Sequence, residues 1–204
     1  MEEITLWSET KKGGKVVERF DSNTTSINLG DKRIGSIDLT PLDQFPNLEV
    51  LTLSGNEIQS LDLSVLHGND TLLELNLGSN EIEAIDLSPL ESCTNLMHLD
   101  LSFNKLRALN LAPLGGCKSL KALHLYENKL ESIDLSSLKK CKKLRNLTLT
   151  KNELKTLDIS GLFECPNLIQ LGLDSDGTFT AAVKFKGAKP PRALTSLLGK
   201  IRWQ

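Results

Sequence analysis

The side chains with the greatest chemical potential are two acids, two histidines and two aromatic residues near the middle of the chain. They are Glu74, His98, Asp100, Phe103, His124 and Tyr126. Glu74 and His98 are 24 residues apart, and so are Asp100 and His124. If the chain folds with this period, the members of each pair lie side by side on one face. Histidines and carboxylates can bind a metal or move protons, whereas aromatic side chains anchor protein interfaces.

Three interpretations of this cluster compete. It is a polar, solvated face with charge pairs between strands, a protein-binding surface anchored by Tyr126 and Phe103, or a metal or acid–base site. The last is the weakest, because ligands on a nearly flat strand surface diverge. Ser102, near His98 and Asp100, does not make a triad, since no nucleophile elbow surrounds it. We therefore expect a non-enzyme with no catalytic residue, metal ligand or cofactor.

A 24-residue unit, clearest in Leu96–Ser119, positions these side chains. Its pattern is LxxLxLxxNxLxx(I/L)DLSPLxxCxx, and its asparagine falls at Asn56, Asn80, Asn104, Asn128 and Asn152. Copies begin near Thr24, Leu48, Leu72, Leu96, Leu120, Leu144 and Leu168, and the first and last are degenerate. A fixed period of this size is typical of a solenoid, whose stacked copies bury a core that one copy cannot.

Within each unit, the pattern predicts a short strand, an inward turn and a helical turn. In Leu51–Leu53 the leucines point one way and Thr52 the other, as in a strand. The asparagine that follows should form a ladder with backbone groups of successive turns. Ser88 suits an N-cap and Pro89 the first position of a one-turn helix on the convex side.

Two more columns share the period. The cysteines are Cys93, Cys117, Cys141 and Cys165, and Phe45 in an earlier coil indicates that this column is interior. Their spacing is not the paired CxxC spacing of zinc sites. The acidic column, with one asparagine, is Asp38, Asp62, Asp86, Asn110, Asp134 and Asp158. It should cap backbone N–H groups on the convex side, with a cation-binding edge as the alternative.

Charge is segregated along the chain although the net charge is only −2. Between Thr24 and Ser175 there are 14 Lys/Arg and 20 Asp/Glu, whereas Asp176–Gln204 has six Lys/Arg and one Asp. A basic run with its neighbours one coil earlier should lie on solvated convex loops: Lys118, Lys121, Lys139, Lys140, Lys142, Lys143 and Arg145. The alternative is contact with anions or a nucleic-acid backbone, but no interleaved aromatic residue supports base stacking.

The two ends do not follow the repeat. Residues 1–23 predict a β-hairpin cap in which Trp7 and Phe20 pack. Residues 176–204 predict a cap with basic outward residues. We expect there a terminal strand with Phe179, Val183 and Phe185, a short helix over Arg192–Lys200 with Leu194, Leu197 and Leu198 on one side, and a closing Ile201 and Trp203.

The N-terminus, Met1–Ile4, shows neither a basic region nor a long apolar run, which predicts a cytoplasmic protein. No stretch approaches the roughly 20 apolar residues of a membrane span, so we expect no membrane contact. Three glycosylation sequons, at Asn23, Asn69 and Asn146, leave secretion as the alternative.

The motif LxxLxLxxN with a period in the twenties resembles the leucine-rich repeat family over about Thr24–Ser175. The resemblance implies an α/β solenoid, a right-handed horseshoe with a parallel concave β-sheet and with short strands and helical turns on the convex side. We divide the chain into an N-terminal hairpin cap (1–23), the repeats (24–175) and an α/β C-terminal cap (176–204). Cysteine-rich caps, which are common in secreted members, are absent, and the cysteine column looks more like that of intracellular members.

The resemblance also implies binding of another macromolecule. We predict a monomeric, non-enzymatic adaptor or scaffold that binds a protein partner on its concave face, through the six residues of the central cluster. The alternative is binding of anions or a nucleic-acid backbone by basic residues of the convex side and of the C-terminal segment, namely Lys184, Lys186, Lys189, Arg192, Lys200 and Arg202. We do not expect nucleic acid to be the partner.

Overall fold

Thirteen short strands run through residues 3–204, the part of the chain that the computed structural model describes. They are β1 (Glu3–Thr10), β2 (Lys15–Asp21), β3 (Ser26–Asn28), β4 (Ile34–Ile37), β5 (Val50–Thr52), β6 (Glu74–Asn76), β7 (His98–Asp100), β8 (Ala122–His124), β9 (Asn146–Thr148), β10 (Thr156–Asp158), β11 (Gln170–Gly172), β12 (Thr178–Ala181) and β13 (Ile201–Trp203). Their order follows the repeat, because most coils contribute one three-residue strand to a common sheet.

That sheet is parallel and has the strand order β11-β9-β8-β7-β6-β5-β3. Residues 24 apart are paired along it, for example Leu51 with Leu75 and Leu99 with Leu123. The register therefore equals the sequence period, as predicted. In the described residues, no helix is both long and apolar enough to cross a bilayer.

The core is a column of aliphatic side chains that repeats in each coil. In the second coil, Leu51, Leu53, Ile58, Leu63 and Leu66 are almost completely buried. Burial of each such side chain contributes about 1.5–3 kcal/mol. The leucines point inward and the residues between them face the concave surface, so the predicted phase of the repeat is confirmed.

The asparagine ladder joins each coil to the one before it. Asn104 accepts a hydrogen bond from the N–H of Ile82 at 3.0 Å and donates to the carbonyls of Leu77 at 3.0 Å and Leu101 at 3.1 Å. The other four asparagines make the same three kinds of bond. Each side chain thus satisfies backbone groups of two inward turns, as predicted.

The ladder position after Asn152 is occupied by Asp176, and the nearby Asp174 binds the last inward turn in another way. Its carboxylate accepts hydrogen bonds from the N–H groups of Lys151 at 2.9 Å and Asn152 at 3.3 Å. An ionised carboxylate has no donor, so it cannot return a bond to a carbonyl as asparagine does.

The convex side carries one-turn helices of the 3-10 type, as expected: Thr40–Gln44, Ser64–Leu66, Ser88–Ser92, Ala112–Gly115, Ser136–Lys140 and Ser160–Glu164. The aspartate column caps the turns that begin them. Asp86 accepts from the N–H of Ser88 at 2.8 Å, and Asn110 does the same for Ala112 at 3.0 Å. The prediction that Ser88 is the N-cap is wrong, since Ser88 is the first helical residue and the side chain two positions earlier does the capping.

The N-terminal cap is an antiparallel hairpin of β1 and β2, and β4 pairs with the other edge of β1. Phe20 packs edge-on against Phe45, with ring centroids 6.3 Å apart. Trp7 does not pack in the cap and is 56% exposed. The sequence prediction for Trp7 is wrong because strand alternation directs its neighbour Leu6 inward and Trp7 outward.

The C-terminal cap is a parallel sheet of β10, β12 and β13 with two 3-10 helices, Val183–Phe185 and Arg192–Lys200. The predicted strand ends at Ala181, so Val183 and Phe185 lie in a helical turn instead. Three residues per turn align Leu194 with Leu197 and leave Leu198 exposed, which corrects the expected three-leucine face.

Glu81 ties the N-terminal hairpin to the repeats. Its carboxylate pairs with Lys11, in the turn between β1 and β2, and with Lys105 at 2.6 Å. Hydrogen bonds from Lys105 and then from Lys11 lower the pKa of Glu81 to about 2. The charged form is therefore favoured in the folded state.

Replacing a middle rung of the ladder should destabilise the whole array. Asn104→Ala leaves several buried backbone groups without a hydrogen-bond partner, so we expect the free energy of unfolding to fall by about 1–3 kcal/mol. Urea unfolding followed by circular dichroism measures this. The control Asn110→Asp, which restores the aspartate of its column, should change it by less than about 0.5 kcal/mol. Equal stabilities of Asn104→Ala and the parent would contradict the structural role of the ladder.

Glu81→Gln tests the attachment of the hairpin. Since the pKa of Glu81 falls from 4.5 to about 2 on folding, its ion pairs stabilise the fold above about pH 4.5 and lose this effect as the pH falls toward 2. We expect Glu81→Gln to lower the free energy of unfolding at neutral pH by up to about 1 kcal/mol. Urea titrations down to about pH 3 should show the difference shrinking. Glu83→Gln is the exposed control, and a pH-independent difference would contradict the assignment.

Candidate functional site

The concave sheet brings the six predicted residues onto one surface. Glu74 begins β6, His98 begins β7 and Asp100 ends it, and His124 ends β8. Glu74 is paired with His98 across the sheet, and Asp100 with His124, as the 24-residue spacing predicts. Phe103 and Tyr126 follow β7 and β8 in the turns that lead inward.

The structure divides this cluster into two parts. Asp100, Phe103, His124 and Tyr126 share a groove of about 440 Å³, which we call the concave groove. Its other lining residues are Ser54, Asn76, Gly78, Ser79, Ser102 and Thr148. Glu74 and His98 lie outside it, at the opposite ends of the short strands. The six residues therefore share a face but do not form one compact site.

Two aromatic side chains dominate the concave groove. The rings of Phe103 and Tyr126 meet edge to face, with centroids 5.1 Å apart and planes at 67°. Phe103 is 48% exposed, which leaves half of its apolar surface in water. Edge-to-face contact is a favourable geometry for such pairs. The two rings therefore support each other within the chain.

The backbone of Phe103 is held in the left-handed region, with φ of 55°. A phenylalanine seldom adopts this conformation, which costs about 1–2 kcal/mol. Here its N–H donates to the carbonyl of Tyr126 at 2.8 Å, and its own carbonyl accepts from Asn80 at 3.1 Å. Bonds to the coils on both sides therefore fix the position from which the Phe103 ring projects.

Lys151 belongs to this site, although sequence reasoning missed it. Its ammonium lies 5.0 Å from the centroid of the Tyr126 ring and 3.1 Å from a carboxylate oxygen of Glu127. Tyr126 and then Glu127 hold the pKa of Lys151 above its ordinary value. The repeat could have identified Lys151, because it lies 48 residues, or two repeats, after Phe103 and so occupies the same position of its coil.

Asp100 and His124 are paired across the sheet, but each is hydrogen-bonded to another residue of the concave groove. Asp100 accepts from the N–H of Ser102 at 2.8 Å, and Nδ1 of His124 lies 3.1 Å from the Thr148 hydroxyl. Within residues 3–204, no three His, Cys, Asp or Glu side chains are grouped to hold a metal ion. The groove thus offers hydrogen-bonding groups around an aromatic pair.

The cysteine column is interior and its thiols are free. Each sulfur lies close to the carbonyl of a leucine in the preceding coil, for example Cys117 with Leu90 at 3.2 Å. Burial raises the pKa of Cys93 and Cys141 to about 11, and of Cys117 and Cys165 to about 12. Nucleophilic thiols have lowered pKa values, so this column has the character of packing residues.

The basic run does not occupy a single surface. Lys139 and Lys140 are exposed at the end of a convex helix, and Lys142 pairs with Glu164 at 3.7 Å. The other members include Lys121, Lys143 and Arg145, which were also expected on solvated convex loops. These three residues line a groove of about 480 Å³ beside the beginnings of β9 and β11, together with Arg192 of the C-terminal cap.

The buried thiols give a direct test of the fold. Because all four are inaccessible and have raised pKa values, we expect none of them to react with Ellman's reagent within minutes at pH 8 in the native protein. All four should react at once in guanidinium chloride, which serves as the control. Rapid labelling of even one native thiol would contradict the interior position of its column.

The family model described as Leucine rich repeat matches the chain over residues 22–82, 70–130 and 118–177. Several solved structures are similar. An internalin C2 from Listeria monocytogenes is 26% identical with a TM-score of 0.64, and the match covers 90% of this chain and 72% of that one. An internalin InlF from the same organism is 27% identical with a TM-score of 0.56, covering 81% and 51%.

A plant peptide hormone receptor, RGFR1, solved in complex with RGF2, is 25% identical with a TM-score of 0.60. That match covers 71% of this chain but only 23% of the receptor, so the chain spans a minor part of it. No curated protein sequence matches. The repeat register, the asparagine ladder and the family match over most of the sequence agree: this chain belongs to the leucine-rich repeat family.

Proposed function

We propose that the chain is a non-enzymatic adaptor or scaffold that binds a protein partner on its concave face. The observation that carries the proposal is the Phe103–Tyr126 pair, in which Phe103 is half exposed, in a groove formed by strands held in register. Aromatic side chains at the centre of a surface are the residues that most often dominate protein-binding energy.

Phe103 is distinguished by its position. The other exposed large apolar residues among 3–204 lie outside the concave groove: Trp7, Val17, Ile169, Val183 and Leu198. A partner that covers Phe103 would remove apolar surface from water at roughly 25 cal/mol per Å². The strained backbone that presents the ring is already fixed in the free protein, so little ordering has to accompany binding.

The polar residues around the pair supply selectivity in this proposal. His124 and Asp100 border the aromatic rings, and Glu74 and His98 lie near the opposite ends of the strands. A complementary partner would place donors and acceptors opposite these groups, and a mismatched partner would leave them desolvated and unpaired.

The relatives support a binding role in general terms. The plant receptor is solved in complex with RGF2, and its solenoid is similar to this one. The proposal includes a cytoplasmic location, because the buried free thiols and the lack of cysteine-rich caps suit a reducing compartment. It also includes a monomeric state, because the C-terminal cap packs beside β11, the last strand of the concave sheet. There the N–H of Ala193 donates a hydrogen bond to the carbonyl of Leu168.

Truncating the aromatic pair should abolish partner capture without unfolding the protein. We expect Phe103→Ala with Tyr126→Ala to weaken capture by at least about thirtyfold, or 2 kcal/mol. His98→Ala alone should weaken it by a few-fold. The measurement is pull-down from native lysate, with bound proteins quantified by mass spectrometry and the melting temperature monitored in parallel.

The matched control removes exposed apolar side chains of the N-terminal cap, in the variant Trp7→Ala with Val17→Ala. It should capture the same proteins as the parent. Equal capture by the concave variant and the parent would reject the concave face as the binding surface.

A further inference from the structure

We infer that the groove lined by Lys121, Lys143, Arg145 and Arg192, called here the basic groove, binds an acidic segment of the protein partner. The inference rests on the proposed function, because that partner is the protein proposed to bind the concave face. It adds a second contact site and states the chemistry of the segment, which carries carboxylates and an apolar side chain.

The charge of the basic groove is uncompensated. None of its four cationic side chains forms an ion pair with a carboxylate among the residues that the structure describes. Elsewhere Lys11, Lys32, Lys105, Lys142 and Lys151 all have acidic partners. The ammonium of Lys121 instead lies 3.3 Å from the sulfur of Met97. Four like charges around a groove of about 480 Å³ repel one another, and an anionic ligand would relieve this repulsion.

The charge changes sign along one edge of the sheet. The residues just before successive strands are Thr25, Glu49, Leu73, Met97, Lys121, Arg145 and Ile169. This line of residues therefore carries one carboxylate, at Glu49, toward the N-terminal cap and two cations, at Lys121 and Arg145, in later coils. An acidic segment is favoured beside the two cations and disfavoured beside Glu49.

The lining of the basic groove favours a peptide over a nucleic acid. Besides the cations it contains Pro166, Asn167, Leu168 and Ile169, and the side chain of Ile169 is 44% exposed. An apolar side chain of a peptide can cover Ile169 while its carboxylates contact the lysines and arginines. No aromatic residue lines this groove, so it has no platform on which bases could stack.

The basic groove and the concave groove lie at the two ends of one strand. Arg145 directly precedes β9, and Thr148, which ends β9, lines the concave groove. Three residues of strand separate them by about 10 Å. A single extended segment of the partner can therefore reach both sites.

The test uses a fluorescein-labelled acidic peptide, Glu-Glu-Leu-Glu-Glu-Leu-Glu-Glu, and fluorescence anisotropy with the full chain. We expect saturable binding that weakens as NaCl is raised from about 50 to 200 mM. Lys143→Glu with Arg145→Glu should raise Kd by at least about tenfold. The matched control, Lys129→Glu with Lys155→Glu, reverses two exposed lysines outside the groove and should change Kd by less than about twofold.

The concave variant Phe103→Ala with Tyr126→Ala should bind this peptide as the parent does. Partner capture therefore tests the concave groove, whereas binding of this peptide tests the basic groove, and either proposal can fail without the other. The inference is overturned if the parent does not bind the peptide, or if Lys143→Glu with Arg145→Glu leaves Kd unchanged. It is also overturned if the glutamine version of the peptide binds equally well, or if an eight-nucleotide oligo-dT binds more tightly than the acidic peptide.

Discussion

The structure depends on satisfying the backbone where each coil turns into the core. The inward turn buries N–H and C=O groups, and leaving them without hydrogen-bond partners would destabilise every coil. The asparagine side chain solves this problem because its amide both donates and accepts. Asn104 bonds its own coil through Leu101 and the previous coil through Leu77 and Ile82. The coils are thereby locked in register, and the leucine core follows.

The concave surface owes its rigidity to that register. The residue just before each ladder asparagine is in the left-handed conformation in the middle coils, at Ser79, Phe103, Glu127 and Lys151. Hydrogen bonds to both neighbouring coils hold this conformation at Phe103. The same column therefore places Phe103 and Lys151 on either side of Tyr126. A packing constraint of the interior thus fixes where these side chains project from the concave surface.

The sequence predicts the features that come from the period and not those that come from the ends. The register, the inward leucines, the asparagine ladder and the capping aspartates are local and repeated, so a single unit reveals them. Trp7 was misplaced because the phase of β1 is set by pairing with the repeats. The 3-10 helix near Leu198 was misread because its period is three residues instead of 3.6. The basic groove was missed because Arg192 reaches Lys121 and Arg145 only through the packing of the C-terminal cap.

Asp174 shows how the last inward turn is closed without a further asparagine. Each ladder asparagine bonds its own coil and the coil before it, and the next position of the ladder, 24 residues after Asn152, is Asp176. Two positions earlier, the Asp174 carboxylate accepts from the N–H groups of Lys151 and Asn152 but has nothing to donate. This turn is therefore satisfied by an acceptor alone. An amide at position 176 would be the chemical prerequisite for extending the ladder into a grafted coil.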